Sequence, residues 1–302
     1  MHAGGAVYRG YTQAQLDAQY DQRTLVPEAP RYMEHWARTS AETRERLPFV
    51  THSYGSGAHE TLDLFGAGPP GTLHMHLHGG AWRALSKSDA SFVADELIAD
   101  GARVAVVDFD LAPKTRLSEI VEQIRKAFLW LRANARVLGA SQSGVIVSGH
   151  SSGAHLAACL LHEDWWEAAC VSPADFAGMI LASGCYDLEP VRLSARNRYL
   201  DLTPETAERL SPIHALPNTL PPIAIFWGSL ELDEFQRQSR AFAAQVATRR
   251  PDLRAEELSG LNHFDVYDTF AEREATITRT ARVMSRAAAA ASPSSNHGRP
   301  TV

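Results

Sequence analysis

Cysteine is scarce in this chain. Its three cysteines, Cys159, Cys170 and Cys185, form no C-x-x-C pair, and their odd number is unlike a disulfide framework. Their expected role is that of small buried hydrophobes. Positive charge is also in deficit: 29 Lys and Arg stand against 35 Asp and Glu, a formal net charge of −6. No basic patch or polybasic run of the kind that holds nucleic acid or a membrane surface is visible, so neither is expected as a partner. A small-molecule substrate, neutral or cationic, is compatible with that balance. No apolar run is long enough to cross a bilayer, and the first thirty residues place Asp17, Asp21 and Glu28 among polar neighbours without an apolar core segment. The expectation is a soluble cytoplasmic protein. Internal repeats are absent, and low complexity is confined to the tail from Ala287 (AAAAASPSSNHGRPTV), which is expected to be disordered.

What the chain does have is length and apolar content. With 302 residues, 45% of them hydrophobic, it can bury a sizeable core, and residues 1–286 are expected to form a single catalytic domain ahead of the 287–302 tail. Helical spacing (Leu16, Tyr20, Tyr32, Trp36, Thr39) predicts one or two helices between Tyr11 and about Arg46. Thr51 to Phe65 alternates enough for a hairpin of edge strands, closed by the turn Gly66–Gly71. Thr72–His78 predicts a strand, about Ser86 to Asp100 a helix ending near Gly101, and Arg103–Phe109 a strand covered on both faces. Leu117–Leu138 carries Ile120, Ile124, Phe128 and Leu131 at helical spacing and stops at Gly139. Gly178–Gly184 and Pro222–Trp227 are further short buried strands, and Phe235–Thr248 and Val266–Met284 the last helices. Strands alternating with helices imply a parallel sheet covered on both faces. Tyr186–Pro221, with several prolines and no long period, is expected to be a small lid over the site.

One stretch organises the rest. Val145-Ile-Val-Ser is apolar and mostly β-branched, Gly149-His150-Ser151-Ser152-Gly153 is G-x-S-x-G, and an Ala/Leu-rich segment follows. By chance alone G-x-S-x-G would occur in roughly one chain in ten of this length. The strand before it and the helix after it make it a nucleophile elbow, in which the serine sits at a strained backbone conformation between the two. Ser151 is thus the candidate nucleophile.

An acyl-transfer site also needs a base, a carboxylate to orient it, and donors for the oxyanion. His263, in the Gly260-opened loop before the last helix, is the candidate base. Three acids compete in the loop after Trp227-Gly228. Glu231, three residues past the glycine and near the strand end, is favoured; Asp233 is the alternative acid, because it and Glu234 suit the start of the next helix. The backbone N–H groups of Gly79, Gly80 and Ser152 are the oxyanion candidates. His74, His76 and His78 alternate along one strand face, a spacing that could bind metal. No carboxylate or cysteine lies near them in sequence, so no metal site is expected; His78 suits a brace for the Gly79-Gly80 turn and the other two a sheet face.

Together, His78-Gly-Gly-Ala-Trp82, Gly149-His-Ser-Ser-Gly-Ala-His-Leu156, Ser183-Gly-Cys-Tyr-Asp-Leu-Glu-Pro190, Glu234-Phe-Gln-Arg-Gln-Ser239 and Asn262-His-Phe264 resemble the kynurenine formamidase (arylformamidase) family of α/β-hydrolases. The likeness runs from about Leu16 to Met284, and Leu16–Tyr20, Val26-Pro27 and Leu62–Phe65 share it. HGG and G-x-S-x-G occur in many esterases and lipases; the segments beginning at Ser183 and Glu234 are more specific. The resemblance implies an α/β-hydrolase fold, a mostly parallel central sheet with helices on both faces and a small lid segment. It assigns attack to Ser151, the base to His263 and the acid to Glu231, implies a homodimer, and calls for no cofactor. The implied reaction is hydrolysis of an aryl formamide such as N-formylkynurenine. Several members carry an aromatic residue where this chain has Ala81, which leaves a differently shaped space beside the oxyanion loop. Trp82 and Tyr186, with Ala81, are the expected substrate-binding walls. Two other readings share these motifs: a carboxylesterase or amidase of another substrate, and a non-catalytic ligand-binding homologue. A missing triad or HGG residue would mark the latter, and none is missing.

Overall fold

The computed structural model describes residues 5–291 apart from Pro69 and Ala99. Eight strands form one sheet: β1 (Phe49–Ser53), β2 (Thr61–Phe65), β3 (Gly71–Leu77), β4 (Arg103–Val107), β5 (Ala140–His150), β6 (Phe176–Ala182), β7 (Ile223–Gly228) and β8 (Arg254–Leu258). Their order is β1-β2-β4-β3-β5-β6-β7-β8. β1 pairs antiparallel with β2 and β2 with β4, while every pairing from β4 through β8 is parallel. The sequence predicts the β1–β2 hairpin, but Gly66–Gly71 does not close it. That segment carries the chain past the position of β4, a strand that comes later in sequence and is therefore invisible to a local reading.

Both faces of the sheet are covered, which explains the apolar run in β4. Ala105 and Val107 face the layer containing Phe128 and Leu156, and Val104 and Val106 face the layer containing Trp36, Phe264 and Ile277. His74, His76 and Ser148 interrupt the second face. All three are fully buried and bonded to one another: His74 Nε2 and His76 Nδ1 both meet the Ser148 hydroxyl (2.7 and 2.8 Å), and His76 Nε2 meets the Tyr267 hydroxyl (3.0 Å), while His74 Nδ1 has no partner among the described residues. Hydrogen bonding is what makes such burial tolerable. Burial also pushes both imidazoles down, His74 to about 3, so they stay neutral.

Several local expectations are corrected. The helix expected from Ser86 to Asp100 is a series of turns, a 3₁₀ turn at Ser91–Val93 and a short helix Ala94–Ile98, because Ser86 Oγ donates to Asp89 (2.7 Å) and Ser91 Oγ to the Lys87 carbonyl (2.8 Å), bonds that favour turns. The last helical stretch is two helices, His263–Asp268 and Thr276–Ala291. Val266, Phe270, Ile277 and Ala281 all enter the same core layer, so their spacing reads as continuous although the helix is broken. The helix runs to Ala291, so the first part of the expected disordered tail is helical; residues 292–302 lie outside the described residues. Cys159 and Cys185 are buried as expected, but Cys170 is exposed, placed at a surface helix end with φ 51°. No helix among the described residues is long and apolar enough to cross a membrane.

Candidate active site

The site lies at the carboxyl ends of the central parallel strands, where each strand hands its chain to a loop or helix. β5 ends at His150, and Ser151 follows with φ 56° and ψ −122° before the helix Ser152–Ala158 begins. A non-glycine residue holds this conformation at a cost of order 1–3 kcal/mol. The Ser151 N–H is anchored to the Ala182 carbonyl of β6 (2.8 Å). A Cβ at Gly153 would collide with the Leu77 carbonyl oxygen, and one at Gly149 with the Gly153 carbonyl oxygen, so the motif glycines are what allow strand, turn and helix to pass this closely.

His263 opens the helix His263–Asp268. Asn262 caps that helix by accepting from the Phe264 and Asp265 N–H groups (2.8 and 3.1 Å), while the Asp265 carboxylate accepts from the Asn262 N–H (3.0 Å). So placed, His263 Nε2 lies 2.9 Å from Ser151 Oγ and Nδ1 lies 3.0 Å from Glu231 Oε2. A carboxylate only accepts, so Nδ1 carries the proton and Nε2 is free to accept from the serine hydroxyl. The other Glu231 oxygen accepts from the Gly228 N–H (2.7 Å) and the Ser183 hydroxyl (2.5 Å). Ser151, Glu231 and His263 are all buried. Asp233 is exposed at the start of the helix Asp233–Ala247, and Glu234 is buried but pairs with Arg237 (2.8 Å). Of the three competing acids, Glu231 alone meets His263. Such a relay can take a proton from the serine and stabilise the imidazolium that results.

The Gly79-Gly80 turn sits beside the serine: Gly80, Ala81 and Trp82 take successive positive φ values of 99°, 54° and 59°. Trp82 is the keystone. Its N–H donates to Ser152 Oγ (3.2 Å), and its carbonyl accepts from the Ala112 N–H (2.8 Å). Its indole N–H donates to His155 Nδ1 (3.2 Å). His78 donates from Nδ1 to the Gly79 carbonyl (2.9 Å) and stacks on Phe109 at 4.3 Å, the bracing role expected of it.

A cleft of about 1020 Å³ opens over Ser151, His263, Gly79, Gly80 and Ala81. Its outer walls come from residues 17–36 and from Ala195–Tyr199 of the expected lid segment. The segment is tied down, with the Ala195 N–H on Asp17 (2.7 Å) and Arg196 Nε on the Tyr20 carbonyl (3.0 Å). Trp82 and Tyr186, expected as substrate walls, are not part of the lining. Both are fully buried: the left-handed turn at Trp82 sends its ring into the core, and Tyr186 stacks on Phe242 at 4.1 Å. Sequence reasoning missed Ser183 and His150. Ser183 directly follows β6, with its N–H on the Phe226 carbonyl of β7 (2.8 Å), and that adjacency would have placed it against the Glu231 loop. His150, next to Ser151, is held neutral by burial, donates from Nε2 to the His263 carbonyl (2.8 Å) and stacks on Tyr267 at 4.6 Å.

Residues 74–266 match the α/β hydrolase fold family, and the chain belongs to it; it is a hydrolase. More particularly, it is similar to the kynurenine formamidase of Salmo salar, at 31% identity over 80% of this chain and 82% of the relative. The kynurenine formamidase of Drosophila melanogaster is 26% identical over 83% and 88% of the two chains. Among solved structures, a Silicibacter protein titled provisionally as a thioesterase superposes with a TM-score of 0.77 at 26% identity, covering 88% of this chain and 98% of that one. A Pyrobaculum calidifontis esterase gives 0.70 at 20% identity over 91% and 97%, a likeness of fold.

Proposed function

We propose that the protein is a serine hydrolase that cleaves an aryl formamide such as N-formylkynurenine to the free aniline and formate, a step of tryptophan catabolism. The observation that carries the reading is the unbroken Ser151–His263–Glu231 hydrogen-bond relay at the floor of a cleft, in a chain whose relatives include kynurenine formamidases. His263 Nε2 takes the Ser151 proton as Oγ attacks the formyl carbon. The developing oxyanion rests on the Gly79, Gly80 and Ser152 N–H groups; Ser152 is the first residue of its helix, where N–H groups have no intrahelical acceptor. His263 then protonates the departing aniline nitrogen. Water, activated by the same imidazole, releases formate from the formyl-serine. Ala81 lines the cleft beside these donors and leaves room at the acyl side.

A carboxylesterase is the second reading, favoured by the esterase superpositions and by similarity to Mycobacterium tuberculosis Esterase LipC, 26% identical over 66% of this chain and 54% of that protein. Purified protein assayed on N-formyl-L-kynurenine and on p-nitrophenyl acetate, with Ser151→Ala as control, separates the two. The expected result is strong preference for the formamide, with kcat reduced by about 10⁴-fold or more in Ser151→Ala. Ester turnover with little formamide turnover would establish the esterase instead, and substantial activity in Ser151→Ala would remove Ser151 as nucleophile.

A further inference from the structure

The cleft wall holds positive charge that its carboxylates only partly neutralise. Four arginines line it, Arg23, Arg83, Arg196 and Arg198. Arg23 is closed off by a two-pronged pairing with Asp21 (2.8 and 2.7 Å). The other three have no carboxylate partner among the described residues. Arg196 spans the Tyr20 and Phe235 rings at 5.5 and 5.8 Å and spends Nε on the Tyr20 carbonyl, yet its Nη1 is buried with no hydrogen-bond partner among the described residues. Leaving such a donor unpaired is unfavourable, and most sharply so on a charged group. The Phe235 ring is in turn 4.7 Å from the His263 ring, so the Arg196 guanidinium stands one aromatic ring away from His263. Arg83, on the loop that carries Gly79 and Gly80, lies over the Tyr199 ring at 4.7 Å, and Arg198 is exposed on the same wall. Of the lining carboxylates, Asp17 is engaged by Gln13 and the Ala195 N–H and Asp21 by Arg23, whereas Glu34 has no partner among the described residues.

We infer that Arg196, assisted by Arg83 and Arg198, forms a subsite for a carboxylate on the leaving-group half of the substrate. Arg196 places a guanidinium on the cleft wall whose Nη1 lacks a partner among the described residues, and the two exposed arginines hold the local field positive although the chain as a whole is acidic. Glu34 on the same lining suits an ammonium group beside that carboxylate, the pair of charges an α-amino acid carries. The inference rests on the hydrolase reading for its reaction, but an ester bearing the same carboxylate would engage the subsite as a formamide does.

The test measures kcat/KM on two pairs of substrates, each an anion and its neutral counterpart: N-formyl-L-kynurenine with 2-formamidoacetophenone, and 3-acetoxybenzoate with phenyl acetate. Wild-type protein is expected to favour the anion of a pair, and Arg196→Gln to lower the anion-to-neutral ratio about tenfold or more, the range for a hydrogen bond to a charged group. Arg196→Lys should restore part of that ratio. Arg83→Gln and Arg198→Gln, whose side chains make no hydrogen bond among the described residues and are exposed, should lower it by smaller factors. An unchanged ratio in all these variants overturns the subsite. Turnover of the esters alone would defeat the formamide assignment while the ester pair still reads the arginines, so the two failures are distinguishable.

Discussion

Glu231 has one oxygen committed before it meets His263. With Gly228 N–H and Ser183 O–H both on Oε1, Oε2 is left facing the imidazole, so Ser183 acts as a positioning residue for the carboxylate. Glu231→Gln should lower kcat by about 10³–10⁴-fold by removing the acceptor that fixes the tautomer. Asp233→Asn, at an exposed helix start, should change it little; the reverse order in steady-state kinetics would reassign the acid. Ser183→Ala should cost about tenfold in kcat with KM nearly constant, and a loss in KM alone would reject the positioning role. That Ser151, His263 and Glu231 come together is legible in sequence because motif and strand-end position both mark them. Ser183 is not, since its role comes from the pairing of β6 with β7. Trp82 was legible as an aromatic beside the oxyanion loop, but the sign of its φ, which decides whether the ring faces cleft or core, is not written in residue type.

At the scale of elements, amphipathic pattern gives the long helices Leu117–Asn134 and Asp233–Ala247 nearly to their ends, and it fails where side chains rather than the backbone set the path. The turns from Ser86 to Ala90 and the break between the last two helices are of that kind. The helix Ala29–Arg46 shows how an outlying element is fastened. Its Trp36 is buried, packs edge-on against Tyr267 at 4.8 Å, and donates from its indole to Asp268 (2.5 Å). Tyr32 on the same helix donates to Asp265 (2.6 Å) in the helix that His263 opens. Trp36→Ala should lower unfolding free energy by about 3–5 kcal/mol in urea titrations. A loss below about 1 kcal/mol would mean that the helix docks independently of this side chain.

The whole molecule carries an acid-sensitive interior. His74, His76, His150, His155 and His162 are all held below the ordinary imidazole range, chiefly by burial, with His74 at about 3 and His155 and His162 at about 4. Below about pH 6.5 the unfolded chain takes up protons at these positions while the native protein does not. Stability is therefore flat in this respect above that pH and falls as pH drops below it, because protons bind the unfolded chain in preference to the native one. Thermal melts should show Tm declining from about pH 6.5, well above where carboxylate titration alone would act. A Tm constant from pH 7 to 5 would contradict the buried neutral histidines.

The relay and the loop beside it belong to the sheet, whereas the outer cleft walls belong to residues 17–36 and 195–199, which the sheet does not template. The relay and most of the cleft's outer wall thus come from separate stretches of chain. A laboratory seeking new substrates could randomise the second while leaving the first untouched, and homologues that keep one engine could diverge in diet simply by rewriting those two short segments.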